Sequence, residues 1–437
     1  MKIAAFVPAK GTSSRVPSKN MAILDGEHLF KRKLRQLLRS ERITDVYLDT
    51  ESSDIRAAAA DLPIKLIDRD ESFATNATDG HELFQHSVRK IGPADFYVQA
   101  LCTAPFIDHR TVDRALQALI DSPEHDSLIA VRSHKMYEWI EGQPAYGRGR
   151  VPNSVDLPDR TLEAMSLYIV RGEAAGGDRI LRFGERPLMF EVTPEEDIDI
   201  NYPADMELAE LICAGYRERM NQRLRALLHN ASSPAFADTC KDLGIRAVLP
   251  PNIRQITGGA ILGRAKTLKL KPVSEGAATS DEWKGIYRAL DSYQFVRRGD
   301  IIVVSNDVPD KAYFGDLNAM IATRAGAAGA IIDGYTRDVK AVSKLGLSVF
   351  ARSAYCDDIK YEGTTESMNM PVEIGGVAVR NNDYIFADGD GVVVIPQERW
   401  DEVETIVWNT IENEARIRVS VARGLDLNDV LNRYGAF

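Results

Sequence analysis

Short apolar runs with β-branched character fall at residues 3–7, 45–48, 96–99 and 127–131, and between them apolar positions recur at helical spacing, as in 30–39 and 111–119. A brief apolar run bounded by polar residues fits a strand, and recurrence every three to four residues fits a helix with one buried stripe. Their alternation predicts an α/β fold built on a mainly parallel sheet. A longer helical pattern at 204–228 gives way to HNASSP at 229–234, where Pro234 blocks helix continuation and small polar residues take over. A domain boundary is expected there, dividing the chain into 1–230 and 231–437. The second half has a different texture: short strand patterns at 300–304 and 391–395, the glycine pairs Gly258-Gly259 and Gly375-Gly376, and an alanine- and glycine-rich helix at 316–328. Paired glycines between strands mark turns that need positive φ or close backbone approach. RAAAADL at 56–62 reads as a short helix of good propensity.

Composition supports this reading and removes several function classes. The 437 residues exceed what one core usually organises, and 44% hydrophobic with 27% charged residues is a globular profile. A net charge of −10 argues against nucleic acid as a partner, because phosphate backbones select for basic surfaces. The four cysteines, Cys102, Cys213, Cys240 and Cys356, are far apart and form no CxxC pair, so neither a zinc site nor a disulfide framework is indicated. No stretch reaches the roughly 18 apolar residues of a membrane span, and a cytoplasmic protein without membrane partners is expected.

The sharpest chemical signal is VPAKGTSSRVPSKN at 7–20, directly after the first strand. A loop with Gly11, Thr12, Ser13 and Ser14 can aim amides and hydroxyls at a triphosphate, while Lys10, Arg15 and Lys19 offset its charge. It lacks the order of a P-loop, and a polar surface loop is the plainer reading of its composition. The stretch resembles the signature loop of the CMP-N-acetylneuraminate and CMP-ulosonate synthetase family, written P-A-R-G-G-S-K-x-(I/V)-P-x-K-N. Lys10 stands where that pattern has Arg, and Thr12 and Arg15 are further departures. VYLDTE at 46–51, YVQALCTAPF at 97–106 and DIDINYPADMELAE at 197–210 follow in the family's order.

This resemblance implies a Rossmann-like nucleotidyltransferase domain that joins CMP from CTP to an acidic sugar of the sialic acid or 3-deoxy-ulosonic acid type. It implies that Lys10, Arg15 and Lys19 hold the CTP phosphates, that Gly11, Ser13 and Asn20 help place the nucleotide, and that Gln99 contacts substrate. It also implies Mg2+ held by carboxylates on alternate strand positions. Ungapped, Asp199 and Asn201 take the two metal positions; with a register shift, Asp197 and Asp199 do. Asp205 fits a helix cap instead. The sugar's carboxylate needs cationic or amide partners, and Arg148, Arg150 and Arg160 are candidates in a polar stretch that reads otherwise as a solvated loop.

Residues from about 234 resemble the family that contains the ribonuclease E activity regulator and the divalent-metal 4-hydroxy-4-methyl-2-oxoglutarate aldolases. The resemblance rests on Gly258-Gly259-Ala260, GDIIVV at 299–304, FGDL at 314–317, GAIIDGYTRD at 329–338, GLSVFA at 346–351 and DGDGVVVIP at 388–396. It implies a layered, swivelling β/α domain. Aldolase members carry Asp, twenty residues, then Arg-Asp, and here Asp316 precedes Arg337-Asp338 by that spacing. By resemblance Asp338 orients Mg2+, Arg337 stabilises a pyruvate enolate, and Gly315, Asp316, Leu317 and Asn318 at a helix start receive the carboxylate of pyruvate or another 2-keto acid. Asn318 departs from the family's Leu or Met. Two readings stay open, an aldol or decarboxylation enzyme and a scaffold without chemistry. Relatives of the first domain pair as dimers and those of the second as trimers, so a homo-oligomer, up to a hexamer, is expected.

Overall fold

The computed structural model describes residues 1–12, 18–75, 77–176, 180–274 and 281–435. The chain forms two compact units, Met1–Cys213 and Ala214–Phe437.

In the first unit the strand Ile3–Pro8 pairs in parallel with Asp45–Thr50 on one side and Phe96–Ala100 on the other, and Lys65–Asp68 extends the first side. Beyond Phe96–Ala100 lie Arg160–Arg171, antiparallel, then Ser127–His134 and Pro187–Glu191. The expected apolar runs are strands of this sheet, and they are mostly apolar because both faces are covered, with Asp49 and Gln99 as buried polar exceptions. Val7, Leu48 and Val98 meet the helices Leu29–Leu38 and His109–Ile120 on one face, whereas Phe6, Tyr97 and Val170 meet the helix Gly80–Ile91 on the other. From Ile3–Pro8 the chain winds outward through Asp45–Thr50 and Lys65–Asp68 and then returns to the other side of Ile3–Pro8 for Phe96–Ala100, so a crevice opens beyond the carboxyl ends of Ile3–Pro8 and Phe96–Ala100. Open α/β sheets bind ligands at such a reversal. The short helix expected at 56–62 is instead Ser53–Ala58, started by Ser52, whose hydroxyl accepts from Ile55 N.

The second unit centres on Ile261–Pro272, which pairs in parallel with Ile301–Asn306; Gly329–Thr336 and Ser348–Ala354 continue that side. Tyr384–Ala387 and Val392–Ile395 continue the other side, antiparallel. The expected helix at 316–328 is Asp316–Ala325, because Gly326 adopts φ 89° and the Ala327 amide turns back to Ala322 O. Gly375 and Gly376, at φ 58° and 80°, turn the hairpin between Val372–Ile374 and Val377–Val379, a turn that needs positive φ at both positions.

The division between units falls inside the helix Pro203–Leu228, upstream of the 230/231 boundary expected from its polar end. Arg217 donates to Asp300 Oδ1 at 2.6 Å, Asn221 donates to Arg298 O, and Leu224 and Leu227 join the cluster of Phe236, Phe386 and Trp400. The last half of that helix is therefore core of the second unit. None of the described helices is long and apolar enough to cross a membrane.

Candidate active sites

Three loops meet at the crevice of the first unit. Beyond Ile3–Pro8 the chain is anchored by Ala9 N to Asp49 O at 2.9 Å and by Gly11 N to Glu51 Oε1 at 2.6 Å. A Cβ at Gly11 would stand 2.9 Å from Ser52 Cβ, so the backbone runs where a side chain does not fit. Asn20, 8% exposed, donates to Lys10 O at 2.8 Å and accepts from the Cys102 thiol at 3.1 Å. Both ends of its amide are thus engaged in joining the loop after the first strand to the loop after Phe96–Ala100. Lys19 Nζ reaches the third loop, donating to Ile200 O at 2.9 Å and Asn201 Oδ1 at 3.3 Å. Lys10, Gly11, Lys19 and Asn20 therefore gather with Asp199 and Asn201. Arg15 and Ser13 lie outside the described residues.

The expectation of carboxylates alternating along a strand is corrected. Residues 197–202 form a turn and an irregular loop, held by Ile198 N to Glu195 O and Ile200 N to Thr103 O. Asp197 therefore points elsewhere, with Oδ2 3.8 Å from His134 Nε2. Burial, partly offset by His134 and Arg132, raises its pKa above the usual carboxylate value. Asp199 stays with the loop junction, where its Oδ2 accepts from Asn201 Nδ2 at 2.5 Å. Asp199 Oδ1 is buried with no hydrogen-bond partner among the described residues. An anionic oxygen buried without a donor is costly, and a bound cation would satisfy it. Asp205 caps the following helix by accepting from Asn201 N and Tyr202 N at 2.8 and 2.7 Å. Of the candidate arginines, Arg160 pairs with Glu138 and Arg148 with Gln143, both at exposed positions.

Gln99 is 1% exposed, in register with Phe6 and Tyr168, and its Oε1 also has no partner among the described residues. Burial pushes the Cys102 thiol up to about 11 against the nearby charges of Lys19 and Lys33, so it is a neutral donor rather than a nucleophile.

Sequence reasoning missed a buried network behind the phosphate-loop candidate. Arg69 Nε pairs with Asp49 Oδ1 at 2.9 Å, its Nη2 donates to Asp49 O at 2.7 Å, and its Nη1 lies 3.7 Å from Glu51 Oε2. Ser87 donates to Asp49 Oδ2 at 2.7 Å. Glu51 holds Gly11 N, so the chain Ser87, Asp49, Arg69, Glu51 braces the loop from the sheet. The available signal was Asp49 itself, a carboxylate directly after the apolar stretch Val46–Tyr47–Leu48, where burial obliges it to find a partner.

In the second unit the spacing from Asp316 to Arg337-Asp338 does bring the three together. Asp338 has left-handed geometry at φ 56°, and its Oδ2 accepts from Asp316 N at 3.5 Å. A Cβ on Gly315 would be 2.6 Å from that oxygen, so glycine is what lets the carboxylate approach the helix start. Leu317 N already donates to Asp316 Oδ1 at 2.8 Å, and Leu317 itself is 70% exposed. Asn318 turns inward, with Nδ2 donating to Tyr313 O and Oδ1 accepting from Tyr293, so it braces the helix and does not offer its amide to a ligand. Arg337 Nε is 3.4 Å from Asp338 Oδ2, and Nη1 is 2.6 Å from Asp358 Oδ2. Asp358, which no motif singled out, completes a half-exposed group of one cation and three acids. Its backbone is tied in by a bridge to Ala312, beside the strand that leads to Gly315.

Among the described residues no group of three or more His, Cys, Asp or Glu side chains is arranged to hold a metal ion. The donor sets nearest to that are Asp199 with Asn201, and Asp316 with Asp338.

Residues 4–143 match the family described as Cytidylyltransferase, and residues 233–394 the family described as Aldolase/RraA. An uncharacterized protein of Methanocaldococcus jannaschii is 31% identical over 214 residues, 48% of this chain and 94% of that protein. A putative 4-hydroxy-4-methyl-2-oxoglutarate aldolase of Halalkalibacterium halodurans is 35% identical over 106 residues, 24% of this chain and 50% of that protein. The 3-deoxy-manno-octulosonate cytidylyltransferase of Chlorobium luteolum is 31% identical over 128 residues, 29% of this chain and 49% of that protein. The chain thus spans about half the length of these two named relatives. Its two parts are thus similar to two different families, residues 4–143 to the cytidylyltransferases and residues 233–394 to the Aldolase/RraA family.

Proposed function

We propose that the first unit transfers CMP from CTP to a hydroxyl of an acidic sugar of the sialic acid or 3-deoxy-ulosonic acid type. The observation that carries this reading is the meeting of three loops at the sheet's crevice, with Lys19, Asn20 and the half-satisfied carboxylate of Asp199 at their junction. Lys10 and Lys19 offset triphosphate charge, and the backbone at Gly11 lies close because no side chain intervenes. The acceptor's hydroxyl oxygen bonds to the α-phosphorus, the bond from that phosphorus to the bridging oxygen breaks, pyrophosphate leaves, and the hydroxyl proton passes to solvent. Holding donor and acceptor in line supplies most of the rate. Asp199 would hold Mg2+ through its unpartnered Oδ1, and the ion would supply charge neutralisation at the triphosphate.

A panel of CTP with several sugar acids, read by pyrophosphate release, tests the assignment. Lys19→Ala is expected to lower kcat/KM at least ~10-fold, about 1.4 kcal/mol of barrier. Turnover equal to wild type would remove the lysine from the site.

For the second unit the reading is metal-dependent aldol, retro-aldol or decarboxylation chemistry on a 2-keto acid, supported by the grouping of Asp316, Arg337 and Asp338. Arg337 would stabilise enolate charge, and Asp338, with Asp316 beside it, would hold the metal. Asp338→Ala is expected to abolish chelator-sensitive pyruvate release from a 4-hydroxy-2-keto acid, measured with a coupled dehydrogenase. Release indifferent to chelator and to Asp338, or absent in wild type, favours the scaffold reading.

A further inference from the structure

The first unit holds a second polar cluster on the face of the sheet that carries Gln99. Tyr168, fully buried, lies opposite Gln99 in the antiparallel pair, so both side chains leave the same face. Its hydroxyl donates to Glu163, which reaches back because the strand Arg160–Arg171 bulges between Glu163 and Tyr168, with Met165 at φ 46°. Over the Tyr168 ring, 4.2 Å from its centroid, stands the guanidinium of Arg182. Arg182 is pinned at its backbone by N–H donation to His81 Nδ1 at 3.2 Å. Its Nη1 occupies the space beside Gly80, where a Cβ would come within 2.6 Å.

The fork of this arginine is only partly used. Nη2 donates to Glu163 Oε1 at 3.0 Å and grazes Met165 Sδ at 3.5 Å, while Nε and Nη1 have no hydrogen-bond partner among the described residues. The side chain is 16% exposed. A stacked, largely desolvated guanidinium with donors to spare is prepared for a planar, bidentate anion. Arg148 and Arg160, by contrast, are exposed and meet only Gln143 and Glu138. Across the strand pair from Tyr168, Gln99 Oε1 lacks a donor, and Asp199 lies near enough that its charge adds to burial and the Glu163 bond in raising the Tyr168 phenol.

We propose that Arg182 receives the carboxylate of the acceptor, with Glu163 holding the fork over Tyr168 until the acceptor replaces it, and that the Gln99 oxygen accepts from one of the acceptor's hydroxyls. The ligand class is therefore a hydroxylated carboxylic acid, and Arg182 is what separates it from a neutral polyol. This inference rests on the cytidylyltransferase reading above.

The experiment compares an acid with its carboxamide, using 3-deoxy-manno-octulosonic acid and N-acetylneuraminic acid as probes. Pyrophosphate release gives KM for acceptor and for CTP, and calorimetry gives acceptor affinity without turnover. Wild type is expected to prefer the acid at least ~10-fold, Arg182→Gln to lose that preference with KM for CTP unchanged, and Glu163→Gln to keep it. Arg182→Lys, which keeps the charge but not the fork, is expected to fall between, and thermal melting identifies any variant that fails to fold. An acid preference that survives in folded Arg182→Gln overturns the inference while the transferase reading stands. If wild type releases no pyrophosphate with any acid, the transferase reading fails, and calorimetry still decides on Arg182: acid preference lost in Arg182→Gln supports it, and no acid preference in wild type overturns it.

Discussion

Asp383, 3% exposed ahead of the strand Tyr384–Ala387, accepts from Arg380 N and Gln397 N, yet burial outweighs these bonds and pushes its carboxyl up to about 6 from 3.8. The folded state therefore binds this proton more tightly than the unfolded one. Stability from the group is full below about 3.8 and is lost as pH rises through about 6, a change of about 3 kcal/mol at roughly 1.4 kcal/mol per unit. Urea unfolding of the second unit at pH 4 to 7 is expected to show this fall, and Asp383→Asn to flatten it. Parallel curves for the two proteins would remove Asp383 as the cause. At this scale the sequence named several of the groups the structure gathers, Lys10, Lys19, Asp199, Asp316, Arg337 and Asp338. It did not show their partners: Asp358 on Arg337 and Arg69 on Asp49 come from segments with no motif, and only proximity reveals them.

Among the elements, the segment 197–205 carries the largest departure from expectation. Alternating aspartates suggested a strand, but the Glu195 and Thr103 carbonyls capture Ile198 N and Ile200 N and leave a loop whose two acids diverge. Asp205 ties the end of that loop to the helix Pro203–Leu228. Asp205→Ala is expected to cost about 1 kcal/mol, as loss of an N-terminal cap does, and to lower kcat/KM further by loosening Asp199 and Asn201. Asp205→Asn, which keeps an accepting oxygen, is expected to recover most of both. Unchanged stability in urea for the alanine variant would show that the two bonds contribute nothing net. Helix ends were legible where glycine imposes them, although Gly326 closes its helix three residues before the alanine-rich pattern stops.

For the molecule as a whole, the second unit has to include its share of the helix Pro203–Leu228. Asp300 is fully buried and pairs with Arg217 at 2.6 Å, with Arg264 and Lys266 at 3.8 and 3.9 Å. A fragment beginning at residue 231 loses Arg217, Leu224 and Leu227, exposing apolar core and breaking the closest pair of a buried charge, which typically costs several kcal/mol. Fragment 214–437 is expected to melt at least several degrees above fragment 231–437 by calorimetry. Equal melting would return the boundary to the polar stretch at 229–234.

The sequence by itself determined the α/β class, the central strands and their flanking helices, the two-part organisation and the family resemblance of each part. These depend on periodicity and on contiguous motifs, which local chemistry writes directly into the chain. Tertiary structure alone decided which aspartate stays at the junction, which arginine stands over Tyr168, and where one unit's core ends. Those outcomes are set by competition among distant groups for buried hydrogen bonds and charge partners. Arg182 and Glu163, nineteen positions apart and both outside every recognised motif, meet because a bulged strand and a glycine at residue 80 leave them the room.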